Sequence, residues 1–223
     1  RQLIAVNGHG PAILRALGDL VEGFVHGRTH PAFEGVLLSM IPKGTSWRPI
    51  GVGSVVRRLA MRIVASLLRS DVHAELEGRG QLGLANAGAQ RAFLRAQACL
   101  TGGHTLLRLD VANAFNTVER HAVLEATRDI GDRLAAGGAP SCAVAVAAAL
   151  YCKPTVVHST LGFSFPSMRG VVQGCPVGSA LYDMAHAAAM SEVAEVLLTH
   201  VPPIFFEVME RVDAPLKIAG NVV

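Results

Sequence analysis

Apolar residues recur along this chain with two distinct periods. From Pro11 to Gly27, Ile13, Leu14, Leu17, Val21, Phe24 and Val25 stand at near-helical spacing and Gly27 supplies a stop, which predicts a helix. Phe33 to Met40 carries the run Val36-Leu37-Leu38, which suits a short strand. Ile41 to Ile50 reads I-P-K-G-T-S-W-R-P-I, two prolines, a glycine and two hydroxyl residues between apolar ends. That composition predicts a hairpin with Lys43 and Arg48 at its tip. The longest helical pattern starts at Ser54, a suitable N-cap, and runs to about Leu76 through Val55, Leu59, Ile63, Leu67 and Leu68. Arg57, Arg58, Arg62 and Arg69 fall on its other faces.

A glycine-containing break, Gly78 to Gly83, precedes a short helix from about Ala87 to Leu100, which Gly102-Gly103 ends. Thr105 to Asp110 is short and mostly apolar, so it is expected to be a buried strand with Asp110 at its C-terminal end. Helices are expected over Arg120 to Ala136 and Ser141 to Leu150. Thr155 to Ser159 and Gly162 to Phe165 alternate like a β-hairpin, and a last helix is expected from about Ser179 to His200. Ile204 to Val223, beyond Pro202-Pro203, shows no clear period.

Composition narrows the class. Of 223 residues, 51% are hydrophobic and 17% charged, with 23 Gly and 11 Pro, so the chain can bury a core and lacks the signature of disorder. Aromatics make up 5%, so the mean hydropathy of +0.39 rests largely on Ala, Val and Leu, the residues of small-residue helix packing. Leu134 to Cys152 is uncharged, but Gly137, Gly138, Pro140 and Ser141 break it, and a membrane span is not expected. Cys99, Cys142, Cys152 and Cys175 stand singly, which suggests reduced thiols in an intracellular protein. The chain opens on Arg1 without a signal peptide, and it is expected to be a piece of a longer one. The nine histidines form no metal-binding or catalytic spacing, and Gly51-Val52-Gly53 is too short for a dinucleotide fingerprint.

Charge is unevenly spread. Residues 1 to 104 hold 12 Lys/Arg against 6 Asp/Glu and residues 105 to 223 hold 8 against 11, so +6 is followed by −3. A basic part that faces phosphates, joined to an acidic part that holds metal, is one reading of this split; solvated helix faces are the other.

Three stretches then bear on chemistry. They are I-P-K-G-T-S-W-R-P-I, then Leu109-Asp110-Val111-Ala112-Asn113-Ala114-Phe115-Asn116, then Arg169-Gly170-Val171-Val172-Gln173-Gly174-Cys175-Pro176. In this order they resemble the reverse transcriptases of non-LTR retrotransposons, most of all those of site-specific trypanosomatid elements, from about Val36 to His200. The resemblance implies an α+β right-hand polymerase fold, rich in helix, with residues 1–104 as partial fingers and 105–223 as a partial palm. It implies an RNA-directed DNA polymerase acting on an RNA template, a DNA primer and dNTP in the nucleus, with Mg²⁺ or Mn²⁺.

Residue by residue, the resemblance sets Lys43 and Arg48 against the triphosphate, where a planar guanidinium fork and a mobile ammonium suit phosphate oxygens. Asp110 becomes a metal-binding aspartate, sharing the ions with the backbone carbonyl of Val111. Phe115 falls where the family keeps an aromatic under the nucleotide sugar, though core packing accounts for it equally well. Gln173 and Gly174 match the Q-G that contacts the nascent pair. Val177-Gly178-Ser179 departs from the usual L-S-P that follows, and no Asp-Asp dipeptide occurs among the seven aspartates. Asp129 and Asp132 are expected to be solvated, Asp183 falls in the helix after Gln173, and Asp213 alone lies in the right region. The chain by itself is therefore expected to hold metal poorly and to polymerise little. The alternative is an inactive nucleic-acid-binding remnant of such an element.

Overall fold

The computed structural model describes residues 10–103, 106 and 108–198. Helix α1 spans Gly10–Val25, and a single 3₁₀ turn at Pro31–Phe33 leads into β1, Val36–Lys43, and β2, Ser46–Val52. Helices α2, Val55–Gly78, α3, Gly88–Thr101, and the short α4, Ala114–Thr117, follow. Then come α5, Arg120–Ala136, α6, Ala143–Tyr151, β3, Thr155–His158, β4, Ser164–Ser167, and α7, Gly178–Leu198. The chain is thus a helix-rich mixture of α and β, and no described helix is long and apolar enough to cross a membrane.

Four strands make one sheet in the order β2-β1-β3-β4. Hairpins β1–β2 and β3–β4 are antiparallel, and β1 and β3 join them in parallel, with Val36 opposite Val157. The first hairpin turns at Gly44, whose φ of 58° suits glycine, and the Ser46 hydroxyl donates to the Lys43 carbonyl at 3.0 Å. Both outer strands carry a proline, Pro49 in β2 and Pro166 in β4. Proline has no N–H to offer a further strand, so it protects an exposed edge.

That protection bears on the strand expected over Thr105–Asp110, of which the described residues form none. Leu106 and Arg108 to Asp110 have no regular structure, and residues 104, 105 and 107 lie outside the described residues. Both sides of β1 are occupied by β2 and β3. Among the described residues of the run, Leu106 and Leu109 are exposed rather than buried.

Helix α2 is the centre of the core. Ala60, Met61, Val64, Leu68, Val72 and Leu76 recur every three or four residues and are buried against Phe24 of α1, Ile130 of α5, Val146 of α6 and Leu181 of α7. Ser54 caps the helix as expected, its hydroxyl accepting from Arg57 N at 3.2 Å. Of the apolar positions expected along the helix, Leu68 is fully buried, whereas Val55, Leu59, Ile63 and Leu67 are exposed. The helix carries two apolar arcs, and only the one that continues through Val72 and Leu76 reaches the core. Arg57, set by its spacing on another face of the helix, is buried, its guanidinium donating to the carbonyls of Phe33 at 2.5 Å and Gly35 at 3.3 Å. The core draws on residues from both sides of position 104.

Candidate functional site

The loop Gly170–Gly174 connects β4 to α7 and is held on three sides. Gly170 N donates to Val118 O at 2.9 Å and Val171 N to Phe115 O at 2.8 Å, which binds it to the turn of α4. On the other side Gly51 N, on the outer edge of β2, donates to Gln173 O at 2.8 Å. From beneath, the Tyr151 hydroxyl accepts from Val172 N at 3.0 Å, and Arg120 Nε donates to Gly170 O at 3.0 Å.

Two glycines make this close approach possible. Gly170 has φ 77°, and a Cβ there would lie 2.7 Å from Phe115 O. Gly174 has φ 105°, and a Cβ would lie 2.9 Å from Gly51 O and from the Ile50 side chain. Both conformations disfavour any side chain, and both contacts are backbone to backbone or nearly so. The glycine of the expected Q-G pair is therefore what lets the loop lie against the first hairpin.

Arg120 and Tyr151 anchor the arrangement. Arg120 Nη1 donates to Lys153 O and Nη2 to Thr155 Oγ1, each at 3.0 Å, and its guanidinium lies 5.0 Å from the centre of the Tyr151 ring. Burial pushes the Tyr151 hydroxyl well above the usual phenol range, so it stays neutral, whereas burial pulls Arg120 down, against the charged form in which it donates here. Arg169 adds an outer clasp, donating to Thr117 O at 2.9 Å and pairing with Glu119 at 2.7 Å.

The expected site residues divide accordingly. Gln173, half-buried, and Gly174, exposed, lie against β2. Phe115 is half-buried and stacks on Tyr182, ring centres 4.9 Å apart, and Tyr182 stacks on His186 at 5.4 Å. Burial holds the His186 imidazole below its usual range. Lys43 is at the hairpin turn as expected, but Arg48 is not: it stands two residues into β2, opposite Ile41, and is half-buried. Residues opposite one another share a face, so Lys43 and Arg48 project from the same side of the hairpin. Along β2, Arg48 lies roughly 10 Å and Lys43 roughly 17 Å from Gly51, at about 3.3 Å per residue.

Asp110 and Val111 are exposed, in the irregular segment before α4. Among the described residues no three His, Cys, Asp or Glu side chains come together as a metal site, and Asp213 lies outside them. Asp129 is solvent-accessible as expected and also accepts from Arg79 at 2.8 Å and Arg133 at 3.0 Å, a structural tie between α5 and the end of α2. Asp183 is fully buried in α7. The described residues thus do not fit a pair of divalent ions.

A shallow cleft opens between β2 and the loop, lined by Gly51, Gly53, Arg57, Arg58, Val172 and Gly174. Exposed Arg58 at this cleft, with Arg48 and Lys43 along the hairpin, supplies cationic donors suited to phosphate oxygens. Arg120, Tyr151 and Tyr182 were not found by sequence reasoning. One signal for Arg120 was there: a cation in the first turn of a helix opposes the helix dipole and needs another reason to be there. For the tyrosines it was scarcity, since the chain has only two.

No known family model matches this sequence, and no curated protein matches it either.

Proposed function

We propose that the chain is the fingers and part of the palm of an RNA-directed DNA polymerase of the non-LTR retrotransposon kind, acting on RNA template, DNA primer and dNTP in the nucleus. The observation that carries this reading is the contact between two of the three ordered motifs: Gln173-Gly174 lies on the end of the I-P-K-G-T-S-W-R-P-I hairpin through the Gly51 N to Gln173 O bond. Phe115, from the remaining motif, is tied to the same loop by its carbonyl. In this reading Lys43 and Arg48 hold nucleotide phosphates, Phe115 lies under the sugar, and Gln173 and Gly174 meet the base pair. Asp110, with the Val111 carbonyl, would contribute to a Mg²⁺ or Mn²⁺ site. No step is derived through metal, because the described residues supply too few carboxylates together.

A second reading, an inactive nucleic-acid-binding remnant, is favoured by the missing Asp-Asp and the basic first half. Both readings require nucleic-acid binding, and Trp47, the sole tryptophan, exposed on β2, reports it. An RNA–DNA template-primer should quench Trp47 fluorescence, with an affinity that falls as salt rises by about 0.9 in log–log slope per duplex phosphate contacted. The double variant Lys43→Ala/Arg48→Ala should weaken binding and flatten that slope. Salt-insensitive binding, or none, rejects both readings. Primer extension by the chain joined to an aromatic-x-Asp-Asp segment, abolished by Asp110→Asn, separates polymerase from remnant; extension that survives Asp110→Asn rejects the role of Asp110.

A further inference from the structure

The first hairpin outruns its sheet. Strand β3 pairs with β1 only at Val36 and Leu37, and beyond them β1 and β2 continue as a two-stranded ribbon to the turn at Gly44. Alternation sends Met40, Pro42, Trp47 and Pro49 to one face of that ribbon and Ile41, Lys43, Ser46 and Arg48 to the other. The first of these faces is wholly apolar, and the second carries both cations. Trp47 is 61% and Met40 46% exposed, so the apolar face opens to solvent. Trp47 also precedes Arg48 directly, which sets ring and guanidinium on opposite sides of one strand.

Charge decides what such a ribbon can take. From Gly35 to Ser70 the chain has no Asp or Glu, while Lys43, Arg48, Arg57, Arg58, Arg62 and Arg69 all fall there. Of these six only Arg57 is buried. That balance attracts a polyanion and offers nothing to a cationic partner. A polyanion that also bears flat rings is a nucleic acid, and an exposed indole takes a base by stacking. Inside a duplex both faces of each base are closed by its neighbours, so only an unpaired or terminal base can lie on Trp47. We propose that the Met40–Trp47 face binds an unpaired base of a single-stranded stretch, while Lys43 and Arg48 on the reverse face meet phosphates. Such binding presupposes the nucleic-acid reading above, and adds to it the strandedness of the ligand and the residue that selects it.

Two short RNA–DNA duplexes test this with the full chain, one blunt and one carrying an unpaired RNA overhang, their affinities read from the anisotropy of labelled nucleic acid. The overhang duplex should bind more tightly by about fivefold or more and should quench Trp47 more deeply than the blunt one. Trp47→Leu keeps an apolar side chain but removes the ring, and should bring the ratio of the two affinities close to unity. Trp47→Tyr, which retains a ring, should keep part of the advantage. Unchanged circular dichroism and thermal midpoint show that the variants are folded. Equal affinity and equal quenching by the two duplexes overturn the proposal and leave the nucleic-acid reading standing. So does an advantage that survives Trp47→Leu. Binding of neither duplex overturns both. A Trp47 emission that moves to the blue as the protein alone is concentrated assigns the face to a second copy and overturns the proposal as well.

Discussion

Gly174 and Tyr151 show how individual residues set the loop at the candidate site. A methyl group on Gly174 would meet Gly51 O and Ile50 at 2.9 Å in a backbone conformation that side chains avoid. Gly174→Ala should therefore cost about 1–3 kcal/mol, measured by denaturant unfolding, and should also weaken template-primer binding. Tyr151→Phe keeps the ring but leaves Val172 N without its acceptor, at a cost of about 1–3 kcal/mol, with faster hydrogen exchange at that amide. His186 gives a pH dependence. Its folded pKa is lowered by burial, so its contribution to stability is present above its unfolded value near 6.5 and is lost as pH falls below that. The thermal midpoint should drop between pH 7.5 and 5.5, and His186→Phe, which retains a ring against Tyr182, should shrink the drop. An unchanged drop in that variant would rule out His186 as its source.

Elements were legible in the sequence wherever a local pattern decides them. Arg120–Ala136 forms the helix its spacing predicts, and both hairpins follow from their turn residues. What local pattern does not encode is competition between elements. Thr105–Asp110 has the composition of a strand, yet the places beside β1 are taken and the outer strands end in proline-bearing edges. Helix α2 offers two apolar arcs, and which of them meets the core depends on helices remote in sequence. Within the site, Gln173 and Gly174 were readable because a motif marks them, whereas Arg120 and Tyr151 act through long-range bonds to main-chain atoms that no short motif records. Two measurements bear on this scale. Leu68→Ala, at a fully buried position, should cost about 2–5 kcal/mol, while Leu161→Ala should stay within about 0.5 kcal/mol. Pro49→Val would restore an N–H to the outer edge of β2, and sedimentation should then show stronger concentration-dependent self-association than in the unaltered chain.

At the scale of the molecule, the basic first half and the acidic second half share one core: α2 packs on α5 and α7, and β1 pairs with β3. Unfolding followed by circular dichroism and by Trp47 fluorescence should accordingly give coincident transitions, and separate midpoints would show two independently stable parts. The parallel pair has a further consequence, for synthesis. Val36 waits for Val157, about 120 residues later, and at about 5–20 residues per second a ribosome needs roughly 6–24 s to deliver it. Through that interval the nascent β1–β2 ribbon presents β1 with an unfilled ladder on its inner side, and Pro49 guards only the opposite margin. The interval is a window in which neighbouring nascent chains could pair wrongly, so the yield of folded protein should depend more on elongation rate and polysome density than on the stability of the finished fold.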